Sequence, residues 1–199
     1  PLVEPLEVIS RFRDHDYSLH DFLAARIERQ PDASALEFDG ETWNFEQLGT
    51  VAERWAGWLT ARGVGEGDRV AVMAANHPHT IGLLFALARL GAILVPVNPD
   101  YGVREAAYVL DHAGAKGVVA TAETLDIVTA ALAQTQTNAW TISIGAALDA
   151  ELMASGLCEA CTGTGDMACL IIYTSGTTGF PKGALHGQRA SAFQHRRGQ

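Results

Sequence analysis

The stretch RVAVMAANHPHTIGLLFALARLGAILVPV, residues 69–97, decides the fold of this chain. Its apolar run at 69–74 predicts a buried strand, the almost entirely apolar run at 80–90 predicts a helix, and 92–97 predicts a second buried strand. A strand, a helix and a strand in this succession form the unit in which a helix connects two parallel strands of one sheet. We therefore expect an α/β fold in which helices flank a parallel sheet.

The alternation of strands and helices continues on both sides of this unit. Ser18 is a suitable N-cap for a helix that ends near Gln30, and Asn44 with Gln47 forms the N-terminal signature of a helix that ends at Gly63. Between these helices, the Asp-Gly dipeptide at 39–40 predicts a hairpin turn between two short strands. Downstream, we expect helices at 104–112, 123–133 and 146–154 and strands at 117–120 and 140–144.

A second stretch, ACLIIYTSGTTGFPKG at 168–183, carries the candidate functional residues. Its apolar run from Cys169 to Tyr173 is typical of a strand buried on both faces. The loop that follows is rich in glycine, so its main-chain N–H groups can approach and bind an anion. The remaining shell of a polyphosphate site can be supplied by the hydroxyls of Thr174, Ser175, Thr177 and Thr178 and the ammonium group of Lys182.

This loop is not a Walker A loop, because its lysine lies between Pro181 and Gly183. Pro181 disfavours a helix that begins within the loop and favours a connection between two extended segments, with 184–186 as the continuation. A turn of the same composition that binds nothing is the alternative.

At these residues the sequence resembles the adenylate-forming superfamily of acyl-CoA synthetases, aryl-CoA ligases, luciferases and peptide-synthetase adenylation domains. The string from Thr174 to Gly183 is similar to that family's phosphate loop at nearly every position. Three further runs resemble the large N-terminal domain of acyl-CoA synthetases in the same order: GDRVAVMAANHP, GAILVPVNPDY and AAYVLDHAGAKGVV. The resemblance extends over about 18–189.

The resemblance implies an ATP-dependent carboxylic acid–CoA ligase, as in fatty acid metabolism. Its substrates would be a small-molecule carboxylic acid, Mg2+-bound ATP and CoA, with an acyl-adenylate as the intermediate. The implied phosphate-binding residues are Thr174, Ser175, Gly176, Thr177, Thr178, Gly179 and Lys182.

The resemblance also implies an incomplete N-terminal portion of the family's large domain. We expect an N-terminal extension at 1–17, a partial AMP-binding domain at 18–189, an atypical tail at 190–199 and no small C-terminal domain. Most active-site motifs of the family would lie downstream, so we expect no catalytic residues here and little or no activity of the fragment. The alternatives are a noncatalytic nucleotide- or protein-binding remnant and a peptide-synthetase adenylation domain.

Composition limits the possible partners and compartments. The net charge of -9 disfavours nonspecific binding to nucleic acid or to anionic membranes. Arg89 lies in the middle of the longest apolar run, 81–97, and disfavours a membrane span. The N-terminal segment lacks the features of a secretory signal, so we expect a cytoplasmic protein.

Neither the cysteines nor the histidines predict a metal site. Cys158 and Cys161 form a CxxC without a second pair, and the odd number of cysteines favours reduced thiols. Pro78 separates His77 from His79 and no third ligand is near, so we expect both histidines in a loop.

Four other side chains are interpreted from their place in the sequence. Trp55 and Trp58 lie on the apolar side of their predicted helix and are expected in the core. Cys169 is expected as a small buried side chain. For His186, a position near the acyl pocket or nucleotide and a structural hydrogen bond both remain open.

Overall fold

The computed structural model describes residues 18–158, 161–174 and 181–194. Within them, the helices are α1 (Leu19–Arg29), α2 (Phe45–Ala61), α3 (Pro78–Arg89), α4 (Val103–Ala113), α5 (Leu125–Leu132), α6 (Ala146–Ala154) and α7 (Gln188–Gln194). The strands are β1 (Ser34–Phe38), β2 (Glu41–Asn44), β3 (Arg69–Met73), β4 (Ile93–Pro96), β5 (Gly117–Ala120), β6 (Trp140–Ser143), β7 (Ala168–Thr174) and β8 (Lys182–Gly187). The predicted alternation of strands and helices is confirmed.

The main sheet has six strands in the order β6-β5-β3-β4-β7-β8. The strands from β6 to β7 in this order are parallel, and β8 is antiparallel to β7. β1 and β2 form a separate antiparallel pair. The predicted α/β class with a mainly parallel sheet is confirmed.

The first two helices and the hairpin turn begin where the capping and turn residues predicted them. Ser18 Oγ accepts a hydrogen bond from the Asp21 amide at 3.1 Å, which caps α1. Asn44 and Gln47 each accept a bond from the other's amide, so the capping box of α2 is complete. The hairpin between β1 and β2 turns at Asp39 and Gly40, whose φ values of 51° and 79° suit a tight hairpin turn.

Helices cover both faces of the parallel strands. On one face, α2, α3 and α6 pack in a cluster that includes Trp55, Trp58 and Val70. On the other face, α4 and α5 pack in a cluster that includes Ala71 and Val109. Consecutive residues of β3 thus face opposite layers, as the pleat of a strand requires. The predicted core positions of Trp55 and Trp58 are confirmed, since they are 0% and 2% exposed.

The last parallel strand, β7, is less buried than predicted. Cys169 is 0% exposed, but Ile172 is 39% exposed. β4 pairs with β7 only at Leu94 and Leu170, and the outer neighbour β8 forms the sheet edge. The described helices therefore cover β7 only in part, and the prediction of a strand buried on both faces over Cys169 to Tyr173 is wrong.

No helix within the described ranges is long and apolar enough to cross a bilayer. The apolar run at 81–97 forms most of α3, a turn and β4. Its arginine, Arg89, is the last residue of α3 and donates a hydrogen bond to the Cys158 carbonyl at 2.6 Å.

Candidate functional site

The carboxyl ends of the parallel strands lie at one edge of the sheet. In open α/β sheets, ligands bind at this edge where successive connections leave toward opposite faces. Here α3, which follows β3, packs on one face, whereas α4 and α5 pack on the other. The loop after β7 begins at this same edge because β7 is parallel to β4.

The β7–β8 hairpin brings both ends of the predicted phosphate loop together. Thr174 lies directly opposite Lys182 in the antiparallel register. Residues opposed in this way place their side chains on the same face, with Cβ atoms about 4.5–5.5 Å apart. Pro181 directly precedes β8, so the prediction of a loop between two extended segments is confirmed.

The middle of the loop lies outside the described residues. The assignments that remain predictions there are Ser175, Gly176, Thr177, Thr178 and Gly179. Of the predicted site, the structure thus describes Thr174 and Lys182, which begin and end the loop.

Lys182 is an exposed cation at the mouth of this loop. It forms no ion pair with any residue that the structure describes. The other lysine, Lys116, is paired with Asp68 at 2.7 Å. The Lys182 ammonium group is therefore available for an anion, and the Thr174 hydroxyl lies on the same face of the hairpin.

A buried histidine contacts three helices at the carboxyl edge. His79 lies in the first turn of α3, where the Trp55 indole donates to its Nδ1 at 3.2 Å. Its Nε2 lies 3.0 Å from the Asp149 carboxylate of α6. Because an indole N–H only donates, Nδ1 is unprotonated and the ring proton is on Nε2. Burial lowers the pKa of His79, although the Asp149 carboxylate opposes the shift.

His77 is the N-cap of α3. Its Nδ1 accepts a bond from the His79 amide at 3.2 Å, and its ring stacks on the His79 ring with 5.3 Å between centroids. The helix begins at Pro78, where proline is well tolerated because the missing N–H has no intrahelical partner. The prediction that both histidines lie in a loop is wrong for His79, since a histidine cap and a proline start extend the helix beyond the apolar run.

The three cysteines differ in exposure, since Cys158 and Cys169 are buried and Cys161 is exposed. Cys158, Cys161 and Cys169 are free. Among the residues described, no group of three or more His, Cys, Asp or Glu side chains could hold a metal ion. Cys169 is buried as predicted, with its Sγ 3.5 Å from the Ser191 hydroxyl.

His186 lies at the far end of β8 from the loop. It is opposite Leu170 and four residues from Lys182 in sequence. At about 3.3 Å per residue, this separation is about 13 Å along the strand. Its backbone carbonyl lies 3.6 Å from Cys169 Sγ.

Sequence reasoning missed several buried polar side chains, among them His79 and Gln188. His79 is 7% exposed and Gln188 is 0% exposed. A histidine at the start of an otherwise apolar helix was the available signal for the first. No local pattern singled out Gln188, because its partners are distant in sequence: Leu19 and Ala88.

Comparison with known proteins gives relatives over most of the chain. It is 37% identical over 145 residues to a long-chain-fatty-acid–CoA ligase of Mycobacterium tuberculosis, covering 71% of this chain and 29% of that protein. It is 36% identical over 161 residues to a feruloyl-CoA synthase of Amycolatopsis, covering 80% of this chain and 31% of the relative. It is also 32% identical over 189 residues to tyrocidine synthase 3 of Brevibacillus parabrevis, covering 92% of this chain and 3% of the synthase.

Among solved structures, a fatty acyl CoA synthetase of M. tuberculosis matches with a TM-score of 0.77 and 29% identity. The match covers 86% of this chain and 35% of that one. The structure of the N-terminal domain of FACL13 from the same organism matches with a TM-score of 0.77 and 28% identity, covering 86% of this chain and 44% of the other. The chain thus spans about a third or less of the curated relatives it matches and less than half of these solved chains.

The family model described as "AMP-binding enzyme" matches residues 23–197, which include both strands of the β7–β8 hairpin. The relatives and the solved structures agree with this match. The chain belongs to the AMP-binding enzyme family.

Proposed function

We propose that the β7–β8 hairpin binds the β- and γ-phosphates of ATP in an adenylate-forming carboxylic acid–CoA ligase. The observation that carries the proposal is the register in which Thr174 lies opposite Lys182 at the carboxyl edge of the sheet. This register places the Thr174 hydroxyl and the Lys182 ammonium group side by side, and a shell of hydroxyl, ammonium and main-chain N–H donors is what a phosphate group requires.

In the whole protein, a carboxylate oxygen would attack the α-phosphorus of ATP, and the bond to the pyrophosphate oxygen would break. The CoA thiol, after losing its proton, would then attack the acyl carbon and release AMP. No general base is needed in the first step because a carboxylate is already a nucleophile. Lys182 and the loop would align the triphosphate and neutralise the charge of the departing pyrophosphate.

Mg2+ fits this proposal as a companion of the nucleotide. The described part of the chain holds no cluster of His, Cys, Asp or Glu that would form a metal cage. Mg2+ commonly binds through substrate phosphates, one or two carboxylates and several waters, so a dedicated cage is not required.

Calorimetric titration of this chain with Mg-ATP tests the binding part of the proposal. We expect Lys182→Ala to weaken binding about tenfold to a hundredfold, because a charge-assisted contact contributes about 1.5–3 kcal/mol. The matched control is Lys116→Ala. It removes the other lysine of the chain, whose ammonium group is already paired with Asp68. Equal affinity of Lys182→Ala and the unaltered chain would contradict the proposal, as would normal binding by Lys182→Ala combined with Thr177→Ala and Thr178→Ala.

ATP–pyrophosphate exchange with a panel of carboxylic acids tests the catalytic part. We expect no exchange by the 199-residue chain, because it spans about a third or less of the length of the curated relatives it matches. Exchange by a longer product of the same gene would support the ligase, whereas robust exchange by this chain alone would contradict its expected inactivity.

A peptide-synthetase adenylation domain is the second candidate. The similarity to tyrocidine synthase 3, which covers 92% of this chain, favours it. The two candidates differ in the acceptor of the acyl group, which would be free CoA for a ligase and a carrier-bound thiol for a synthetase. A carrier domain encoded downstream in the same reading frame would favour the synthetase.

A further inference from the structure

The strand that carries Lys182 has little side-chain burial to fix its register. Among the strands that the structure describes, β8 lies at the edge of the sheet and pairs with β7 alone. Residues 182–185 are exposed, and Leu185 is 64% exposed. A shift of one residue in such a strand would turn every side chain to the other face, Lys182 included.

Gln188, directly after β8, is 0% exposed and uses both ends of its amide. Its Oε1 accepts a hydrogen bond from the Leu19 amide at 2.8 Å, in the first turn of α1. Its Nε2 donates to the Ala88 carbonyl at 2.9 Å, in the last turn of α3. The side chain therefore connects the end of β8 to two helices that are remote in sequence.

The backbone around Gln188 continues this connection into the sheet. The Gln188 amide donates to the Met167 carbonyl at 2.9 Å, just before β7. Gly187 lies opposite Ala168, and the register shifts between Ala168 and Leu170. The ladder is locally disrupted at this irregularity, so the hydrogen bonds of Gln188 constrain β8 next to the part of the hairpin where the pairing is weakest.

We propose that Gln188 is a positioning residue that fixes the register of β8 and so holds Lys182 opposite Thr174 for phosphate binding. The proposal rests on the proposed function of the hairpin. Gln188 lies six residues from Lys182, about 20 Å along an extended chain, so it acts on the nucleotide only through the strand.

The substitution Gln188→Leu keeps most of the buried volume and removes both amide bonds. The Leu19 amide loses the partner that Gln188 provides, while Ser18 Oγ already accepts from Asp21. Because the bond of the Leu19 amide is partly buried and the Gln188 side chain is fully buried, losing it costs more than losing an exposed bond, so β8 and the start of α1 should loosen together.

Hydrogen exchange and Mg-ATP titration of the full 199-residue chain test the proposal. In Gln188→Leu, we expect faster amide exchange over 183–187 and about fivefold to tenfold weaker Mg-ATP binding. In a Lys182→Ala background, Gln188→Leu should cost little further affinity, because the lysine that it positions is gone. The matched control is Arg189→Ala, at the next residue. The side chain that it removes forms an exposed ion pair with Asp166 at 3.0 Å.

Unchanged exchange over 183–187, or unchanged affinity at a temperature where both proteins are folded, would overturn the proposal. A lower unfolding midpoint with normal affinity would show a structural role alone and would overturn it too. If Gln188→Leu does not fold, Gln188→Glu gives the same readouts, because it keeps the shape but turns an acceptor toward the Ala88 carbonyl. Absence of Mg-ATP binding by the unaltered chain would instead overturn the proposed function, while hydrogen exchange alone would still decide whether Gln188 fixes the register.

Discussion

The parallel part of the sheet and the β7–β8 hairpin are stabilised in different ways. In β3 and β5, almost every residue is buried between helices on both faces. In β8, most residues are exposed on the sheet edge. The register of the parallel strands is fixed by packing on both faces, whereas the hairpin depends on its ladder, its turn and contacts at its open end.

Because of this difference, the residues that stabilise the fold are not the residues that would bind the ligand. Apolar burial supplies most of the favourable free energy of folding, and it is concentrated in the parallel strands and their helices. An anion site needs exposed donors and a cation, which a buried strand cannot offer without a desolvation penalty. Placing Lys182 and Thr174 on a weakly packed edge avoids that penalty.

The strongest test of the comparison is Trp55→Ala, in the core cluster under the parallel strands. Trp55 is 0% exposed, so we expect a loss of about 3–5 kcal/mol of unfolding free energy in urea denaturation. The matched control is Trp43→Ala in the half-buried strand β2, which should cost less. Equal losses would show that the parallel core is not the principal source of stability.

A smaller loss is expected from Gly117→Ala in β5. A Cβ at Gly117 would overlap the Trp140 indole of the neighbouring strand β6. Overpacking of this kind costs about 1–3 kcal/mol, measured as a shift in the urea midpoint. Gly65→Ala is the control, because a Cβ there would meet nothing within 4 Å. If Gly117→Ala leaves the urea midpoint unchanged, β5 and β6 separate more easily than their burial implies.

The histidines at the start of α3 make stability depend on pH. Burial lowers the pKa of both His77 and His79 below 6.5. The unfolded chain therefore takes up protons at a higher pH than the native protein, so stability is complete above pH 6.5 and declines as the pH falls below it. We expect urea titrations to show that the free energy of unfolding falls as the pH is lowered below about 6.5.

The variant His79→Gln should flatten this decline, because glutamine does not titrate. His77 and His20, whose pKa values burial also lowers, leave a residual slope in the variant. A slope that is unchanged in His79→Gln would place the responsible group elsewhere.

The smallest effect on stability is expected from Leu185→Ser in β8. Leu185 is 64% exposed, so the unfolding free energy should change by no more than about 0.5 kcal/mol. Exposed apolar side chains on a sheet edge promote pairing between chains, so self-association in sedimentation experiments should decrease. Met153→Ser, which replaces a side chain of 66% exposure in α6, controls for hydrophobicity away from the edge. Equal effects on self-association would exclude the edge as its cause.

Sequence patterns predicted the elements well where local chemistry decides them. The capping box at Asn44 and Gln47, the Asp-Gly turn and the apolar helix α3 all depend on residues close in the chain. The start of α3 was placed two residues late because a histidine N-cap is less characteristic than Ser, Thr, Asp or Asn. The burial of β7 was overestimated because an apolar run does not reveal how many elements cover it.

The sequence by itself determined the α/β class, the order of the elements and the composition of the phosphate loop, because periodicity, caps and glycine or hydroxyl content are local properties. Only the tertiary structure decided that β8 returns antiparallel at the sheet edge, that Thr174 lies opposite Lys182, and that His79 and Gln188 are buried with partners. These features join residues that are far apart in the chain, and such pairings depend on how the layers pack rather than on any local pattern.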